Sequence, residues 1–368
     1  MLKDKHQPDY FLLVLIGLIL VIGLVFLNSA SSVMGYNNFK DAFYYLKHQL
    51  LIGFLPGILL FFIAYRVKIE DIKKSANIIF FIGLALLLAV FLPGIGIDQG
   101  GAQRWLNFGL FSFQPIEIFK LFFIFFLARF FARRQDKMKD FYITVLPFIL
   151  ILFLVAVPVF LQPNFSALMI LVLIGFGMFF LAGAYPVHII GLVAVALPTI
   201  FFLMQSKAYR LNRLLSFISP QTETGGISYH IQQALIAIGS GGLFGLGIGY
   251  SRQKFFYLPE SFGDSAFAIM AEEAGFIFTT IIIYLFFLLI WRGFKIAKNS
   301  EDCFSRCVAS GIALWFGFQV IINIGGMLNL LPITGIPLPL ISYGGSAMVA
   351  NLAAFGILAN ISKNTQIS

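Results

Sequence analysis

Acidic side chains are scarce in this chain. Only 16 of its 368 residues are Asp or Glu, and all charged types together make up 11%. A soluble globular domain carries roughly 25% charged residues, so that class is excluded. Cysteine is nearly absent as well. Cys303 and Cys307 lie four positions apart near a basic stretch with no histidine close by, which gives neither a disulfide framework nor a metal site. The glycine run 239–249, GSGGLFGLGIG, has no lysine in the P-loop position, so it is not a nucleotide-binding loop. No D-x-D signature is present either. What the chain has in abundance is apolar bulk: 60% hydrophobic residues, 45 of them Phe, and a mean hydropathy of +0.93.

Apolar runs of roughly 17 to 25 residues are the signature of spanning helices. Ten are found, at 11–29, 47–66, 77–93, 114–132, 141–161, 165–183, 187–204, 265–291, 305–329 and 340–361. The reading is an all-α polytopic membrane protein, one domain over 1–368, with a long loop at 205–264 between the seventh and eighth spans. The first run lacks a small-residue cleavage site, so it is read as a span and not as a signal peptide. Lys3 and Lys5; Arg66, Lys68, Lys73 and Lys74; Arg129, Arg133, Arg134, Lys137 and Lys139; Arg292, Lys295, Lys298 and Arg306; and Lys363 all fall on one side, 16 of the 25 basic residues. The positive-inside rule assigns that side, with both termini, to the cytoplasm. The net charge of +9 is therefore topological, and nucleic acid is not implied.

The opposite face carries the loops 28–46 and 93–113, the short turn 162–164, and the loops 205–264 and 330–339. Within the longest, Ile227, Ile231, Ala234, Leu235 and Ile238 recur at helical spacing with Ser228, His230, Gln232 and Gln233 between them. That pattern fits an amphipathic helix on the membrane surface or a lid packed on the bundle. The basic residues here, Arg104, Lys207, Arg210, Arg213, Arg252 and Lys254, oppose the topology bias. They suit a phosphate or pyrophosphate ligand, or anionic lipid headgroups.

Four carboxylates, Glu260, Asp264, Glu272 and Glu273, crowd where this loop enters the eighth span. Ionisable groups at such depth are functional candidates by default. Asp264 can also serve as a helix cap, because Ser261 to Asp264 has capping-box spacing. Glu272 lies eight residues on, roughly 12 Å along a helix, so neither it nor Glu273 forms a dyad with Asp264. Both are expected to pair with other helices. Glu117 and Lys120, three apart in the fourth span, share a face and can pair, either structurally or at a site.

GAQRW (101–105), QPIEIFKL (114–121), YRLNRLLSFISP (209–220), the long stretch 229–276 and LPITGIPLPLISYGGSAMVANLAAFGILANIS (331–362) resemble the shape, elongation, division and sporulation (SEDS) family from the first span to the last. The SRQKFFYLPE and GILANIS forms are closer to its FtsW division branch than to RodA. The resemblance implies a ten-helix glycosyltransferase of the cytoplasmic (inner) membrane that polymerises peptidoglycan from lipid II on the outer face. It also implies a class B penicillin-binding protein partner, with other divisome or elongasome proteins. It carries the catalytic role onto Asp264, with Arg104, Glu117 and Lys120 around a central cavity. Arg213, Arg252, Lys254 and Glu260 complete the substrate-binding set, and a divalent cation, Mg²⁺ or Mn²⁺, is compatible with the chemistry but not required. Two positions depart from the family pattern: Asn164 replaces its usual Asp, and Ile116 its usual small residue. A lipid II transporter and a non-catalytic division scaffold are the alternatives. The concentration of polar residues toward one leaflet and the lack of an inverted repeat count against transport.

Overall fold

The computed structural model describes residues 7–99, 102–109, 111–205, 217 and 226–365. Helices dominate because the apolar runs leave their backbone polar groups no partner except each other. They are α1 (Tyr10–Phe39), α2 (Tyr44–Arg66, π-helical over Gln49–Phe54), α3 (Ile69–Ala89), α4 (Pro115–Ala132), α5 (Phe141–Leu161), α6 (Phe165–Leu181), α7 (Pro186–Gln205), α8 (Gly226–Ser240), α9 (Ala266–Lys298), α10 (Cys303–Met327) and α11 (Gly345–Ser362). Among the described residues, seven of these are long and apolar enough to cross a membrane: α1, α2, α3, α5, α9, α10 and α11. The chain is a multi-pass membrane protein.

Capping sets several of the boundaries. Asp9 opens α1 by accepting from the backbone of Leu12, and Arg292 of α9 pairs with its other oxygen. Pro115 begins α4 at the position where a missing N–H costs nothing. Asn164 begins α6, its Oδ1 accepting from Ala167 N at 3.3 Å. Either Asn or Asp can make that acceptor bond, which accounts physically for the departure from the family pattern at this position.

α10 and α11 form the centre. Their most apolar stretches are 78% and 83% buried, against 17% for α2. α2 lies along α11, α9 along α10, α4 between α3 and α10, and α6 against α10. Phe119, Phe123, Trp315 and Phe355 fill the space between them and are wholly buried.

Three sequence expectations need correction. The all-α reading misses a small antiparallel sheet in the loop 93–113: β1 (Gly96–Gln99), β2 (Ala102–Asn107) and β3 (Ser112–Phe113), in the order β1-β2-β3. Its strands are too short to show an alternating pattern. The eighth span is not one helix. Gly275, at φ 77° and ψ 179°, interrupts α9. Asp264 is not a cap: α9 begins at Ala266 with no acidic residue in its first turn and no side-chain cap.

Candidate functional site

A cavity of about 600 Å³ opens between β2, the starts of α4 and α6, helix α8, the turn before α9, and the loop leading to α11. Arg104, Glu117, Lys120, Glu260 and Asp264 all line it. Five residues spread over 160 positions of sequence thus meet on one wall set. Arg213 lies outside the described residues, as do Lys207 and Arg210.

Each polar group is held by identifiable partners. Lys120 Nζ sits 2.9 Å from Glu117 Oε2 and 4.7 Å from the ring centroid of Trp315, so its ammonium is oriented from two sides. Arg104 Nε donates to Gln162 O at 3.2 Å, and its Nη2 donates to Pro163 O. Those bonds fix the guanidinium beside the start of α6. Glu260 is exposed and adopts a left-handed backbone, φ 48°. Its carbonyl accepts from Gly263 N and Ser265 N at 3.0 and 3.2 Å, forming the tight turn that presents Asp264.

The half-buried Asp264 is positioned through its backbone. Asn323 Nδ2 donates to Asp264 O at 2.7 Å and to Ile336 O at 2.8 Å. Gln319, one turn earlier on α10, donates to Pro337 O at 2.8 Å and accepts from Trp315 Nε1 at 2.7 Å. Trp315, Gln319 and Asn323 recur every four residues and so share a helix face. This buried stripe runs from the Glu117–Lys120 pair to the Asp264 turn.

Several wall residues were not singled out as site residues in the sequence. His230 of α8 lies 2.6 Å from Ser265 Oγ. That hydroxyl donates to Pro259 O at 2.9 Å, so His230 Nε2 is the donor to it. Tyr343 Oη lies 2.8 Å from His48 Nδ1, within hydrogen-bond distance. The helical spacing around His230 was legible, but nothing local in the sequence names its partner. Of the two readings of that segment, the packed one describes α8: Ile231, Ala234 and Ala237 are buried against the bundle while Tyr229 and Ile236 stay exposed.

Lys254 and Arg252 do not line the cavity. Lys254 is buried, bonded to Glu273 Oε1 at 3.0 Å, Ser29 Oγ at 3.1 Å and Gly249 O at 2.7 Å. Arg252 is exposed, and its backbone N–H donates to Glu272 Oε1 at 3.0 Å. Glu272 and Glu273 therefore pair mainly with the loop before them, and among the described residues Ser29 of α1 is the one partner supplied by another helix. Among the described residues no three His, Cys, Asp or Glu side chains gather to hold a metal ion.

A carboxylate that shares a cavity with a lysine and an arginine can take up a proton at one end of a substrate while the cations neutralise a departing anion at the other. Comparisons with known proteins agree in pointing to one group. The sequence pattern of the family described as cell cycle protein, covering FtsW, RodA and SpoVE, matches residues 10–367. Stage V sporulation protein E of Bacillus subtilis is 39% identical over 363 residues, 99% of each chain. A protein of a Geobacter species named probable peptidoglycan glycosyltransferase FtsW is 38% identical over 354 residues, 96% of each. Among solved structures, a chain described under structural coordination of polymerization and crosslinking by a peptidoglycan synthase complex is 26% identical. It superposes with a TM-score of 0.78 over 96% of this chain and 97% of its own. The rod shape determining protein RodA of Thermus thermophilus, also 26% identical, gives 0.71 over 98% of each. The chain belongs to the family of FtsW, RodA and SpoVE, the shape, elongation, division and sporulation family.

Proposed function

We infer that this protein is a peptidoglycan glycosyltransferase of cell division, polymerising lipid II into glycan strands. The activity rests on relatives that carry it in their names at 35–38% identity over nearly the whole chain. The observation that carries the mechanism is the meeting of Asp264 with Arg104 and Lys120 around one cavity.

The reading of topology is ten crossings of the inner membrane. To the seven apolar helices it adds α4, α6 and α7, with both termini in the cytoplasm and the loop 205–264 outside. α4 carries three charged residues, Glu117 and Lys120 on the cavity wall and Arg129 at its other end. The cavity then opens outward, where activated sugar arrives linked to a lipid.

In the proposed reaction, the 4-hydroxyl oxygen of the acceptor saccharide bonds to the anomeric carbon of the donor. The bond from that carbon to the pyrophosphate oxygen breaks, and the hydroxyl proton passes to the Asp264 carboxylate. Arg104 and Lys120 stabilise the departing undecaprenyl pyrophosphate, and Glu117 orients Lys120. Lys254, sequestered against Glu273, has no part in it. Where a Mg²⁺ or Mn²⁺ ion is used, the carboxylates of Asp264 and Glu260 would hold it, and it would offset charge developing on the pyrophosphate, since such ions take one or two carboxylates plus phosphates. The partner is a class B penicillin-binding protein, which cross-links the strands made here.

The test combines the purified protein, its transpeptidase partner and labelled lipid II. Glycan strands are expected, and Asp264→Asn should lower polymerisation by about 10²–10⁴-fold while leaving partner binding intact. Near-normal polymerisation by that variant overturns the role of Asp264. Transbilayer movement of lipid II without strand formation overturns the enzyme reading itself.

A further inference from the structure

The glycine run 239–249 has no place in the proposed chemistry, yet it is built tightly into the fold. The break at Gly275 leaves four backbone groups of α9 without helical partners, and this run supplies them. Leu246 N donates to Glu272 O at 3.0 Å and Gly247 N to Glu273 O at 2.9 Å, while Phe276 N donates to Gly242 O at 2.9 Å and Ile277 N to Leu243 O at 3.2 Å. The approach admits no side chain: a Cβ on Gly245 would stand 2.2 Å from Glu273 O, and one on Gly275 would stand 2.2 Å from Gly245 N. Both residues also have φ near +80°, the left-handed region that glycine enters freely.

Depth follows from α9. Its first cytoplasmic-side cation is Arg292, and the sixteen residues from Phe276 to Trp291 rise ~24 Å at about 1.5 Å each. The hydrocarbon layer is ~30 Å thick, so it extends ~6 Å beyond Phe276, about to the level of Glu272. The run 242–247, bonded to residues 272–277, lies inside it.

The side chains fit that depth. No charged residue occurs between His230 and Arg252. Leu243, Phe244, Leu246 and Ile248 are 60%, 80%, 38% and 58% exposed, and they continue the exposed apolar face of α9 formed by Phe276, Ile277 and Ile281. Irregular backbone at membrane depth needs partners for its polar groups, and the break in α9 supplies them to Leu246 N, Gly247 N, Gly242 O and Leu243 O, while Gly245 N turns back to Gly241 O.

We propose that residues 241–249 form a re-entrant loop that enters the leaflet away from Arg292, Lys295 and Lys298 and contacts lipid acyl chains through Leu243, Phe244, Leu246 and Ile248. The buried bond from Lys254 to Glu273 continues this anchor toward the Asp264 turn. The height of that turn above the bilayer is thereby tied to the lipid itself. The inference needs only the membrane, and it stands apart from the assignment of the reaction.

The full chain, with Cys303→Ser and Cys307→Ala, is reconstituted in nanodiscs carrying one of Phe244→Cys, Ile248→Cys, Asn38→Cys or Ile281→Cys. Asn38 is an exposed position in the last turn of α1 and Ile281 a helix position facing outward. A charged, water-soluble maleimide should label Phe244→Cys and Ile248→Cys at the slow rate of Ile281→Cys, at least about tenfold below Asn38→Cys. A bimane at position 244 should be quenched by phospholipids brominated on their acyl chains. Labelling at the Asn38→Cys rate overturns the proposal. So does slow labelling without quenching, which would mean that protein covers the loop instead of lipid. Two loop positions are used so that one poorly folding variant, detected by size-exclusion chromatography, leaves the other to decide.

Discussion

Two buried carboxylate–lysine pairs in this molecule look alike in isolation. Lys120 and Glu117 lie 2.9 Å apart, Lys254 and Glu273 3.0 Å apart. The four residues are 4%, 7%, 5% and 1% exposed. Their surroundings separate them. The first pair lines a cavity of about 600 Å³ shared with Asp264 and Arg104. The second is closed in by Ser29, Gly249 and the backbone of Ser251, and beside it Glu272 takes the backbone N–H groups of Arg252 and Gln253. A buried ion pair is thus not by itself a sign of chemistry. The first is open to a ligand, and the second fastens a loop to a broken helix.

Removing one partner from each pair breaks the comparison most strongly. Lys254→Met leaves Glu273 buried without its counter-charge, and losing one member of such a pair costs about 3–5 kcal/mol. Folded protein should largely disappear, as read by yield and by thermal unfolding in detergent. Replacing both, Lys254→Met with Glu273→Met, should recover much of the loss because no charge is left unpaired. Lys120→Met leaves Glu117 on the wall of the open cavity, where solvent can reach it. Its unfolding midpoint should fall far less, while lipid II polymerisation falls by about 10²-fold or more. Equal losses of stability in the two single variants would erase the distinction.

A smaller effect tests how the active side is held. Asn323→Asp keeps the side-chain size but turns a carboxylate toward Asp264 O and Ile336 O, the two carbonyls that Asn323 now donates to. A shift of the Asp264 turn by a fraction of an ångström should lower kcat about tenfold. KM should stay within about twofold if substrate contacts persist. A change in KM alone would show that the stripe Trp315–Gln319–Asn323 shapes binding and not the placement of Asp264.

Much of this architecture was legible in the sequence, and the reasons are physical. Apolar length marked the helices, and the scarcity of charge in so apolar a chain drew attention to Glu117, Lys120 and Asp264. Long-range closure was not legible. The break at Gly275 depends on donors and acceptors supplied by residues 242–247, about thirty positions earlier, and glycine is common in unbroken spanning helices. Lys254 was visible as a cation on the wrong side of the membrane, but its partner Glu273 was not. The bonds from His230 to Ser265 and from His48 to Tyr343 join residues 35 and 295 positions apart, beyond the reach of any local pattern.

A third acid–lysine pair supplies the opposite limit. Asp41, in the turn between α1 and α2, and Lys47, in the first turn of α2, are 2.6 Å apart with 35% and 63% of their side chains exposed. The hydrogen bond from Lys47, joined by that from Phe43 N, holds the Asp41 carboxyl below its usual range. A depressed carboxyl stabilises the fold above its unfolded value of about 3.9, and that contribution is lost as the pH falls through the lower, folded value. Water screens the pair throughout, so its worth is small. Asp41→Asn should leave polymerisation unchanged and shift the unfolding midpoint by no more than the scatter between replicates at neutral pH, with any difference vanishing in strong acid. A loss comparable to that of Lys254→Met would mean that exposure to water does not govern what such a pair is worth in this protein.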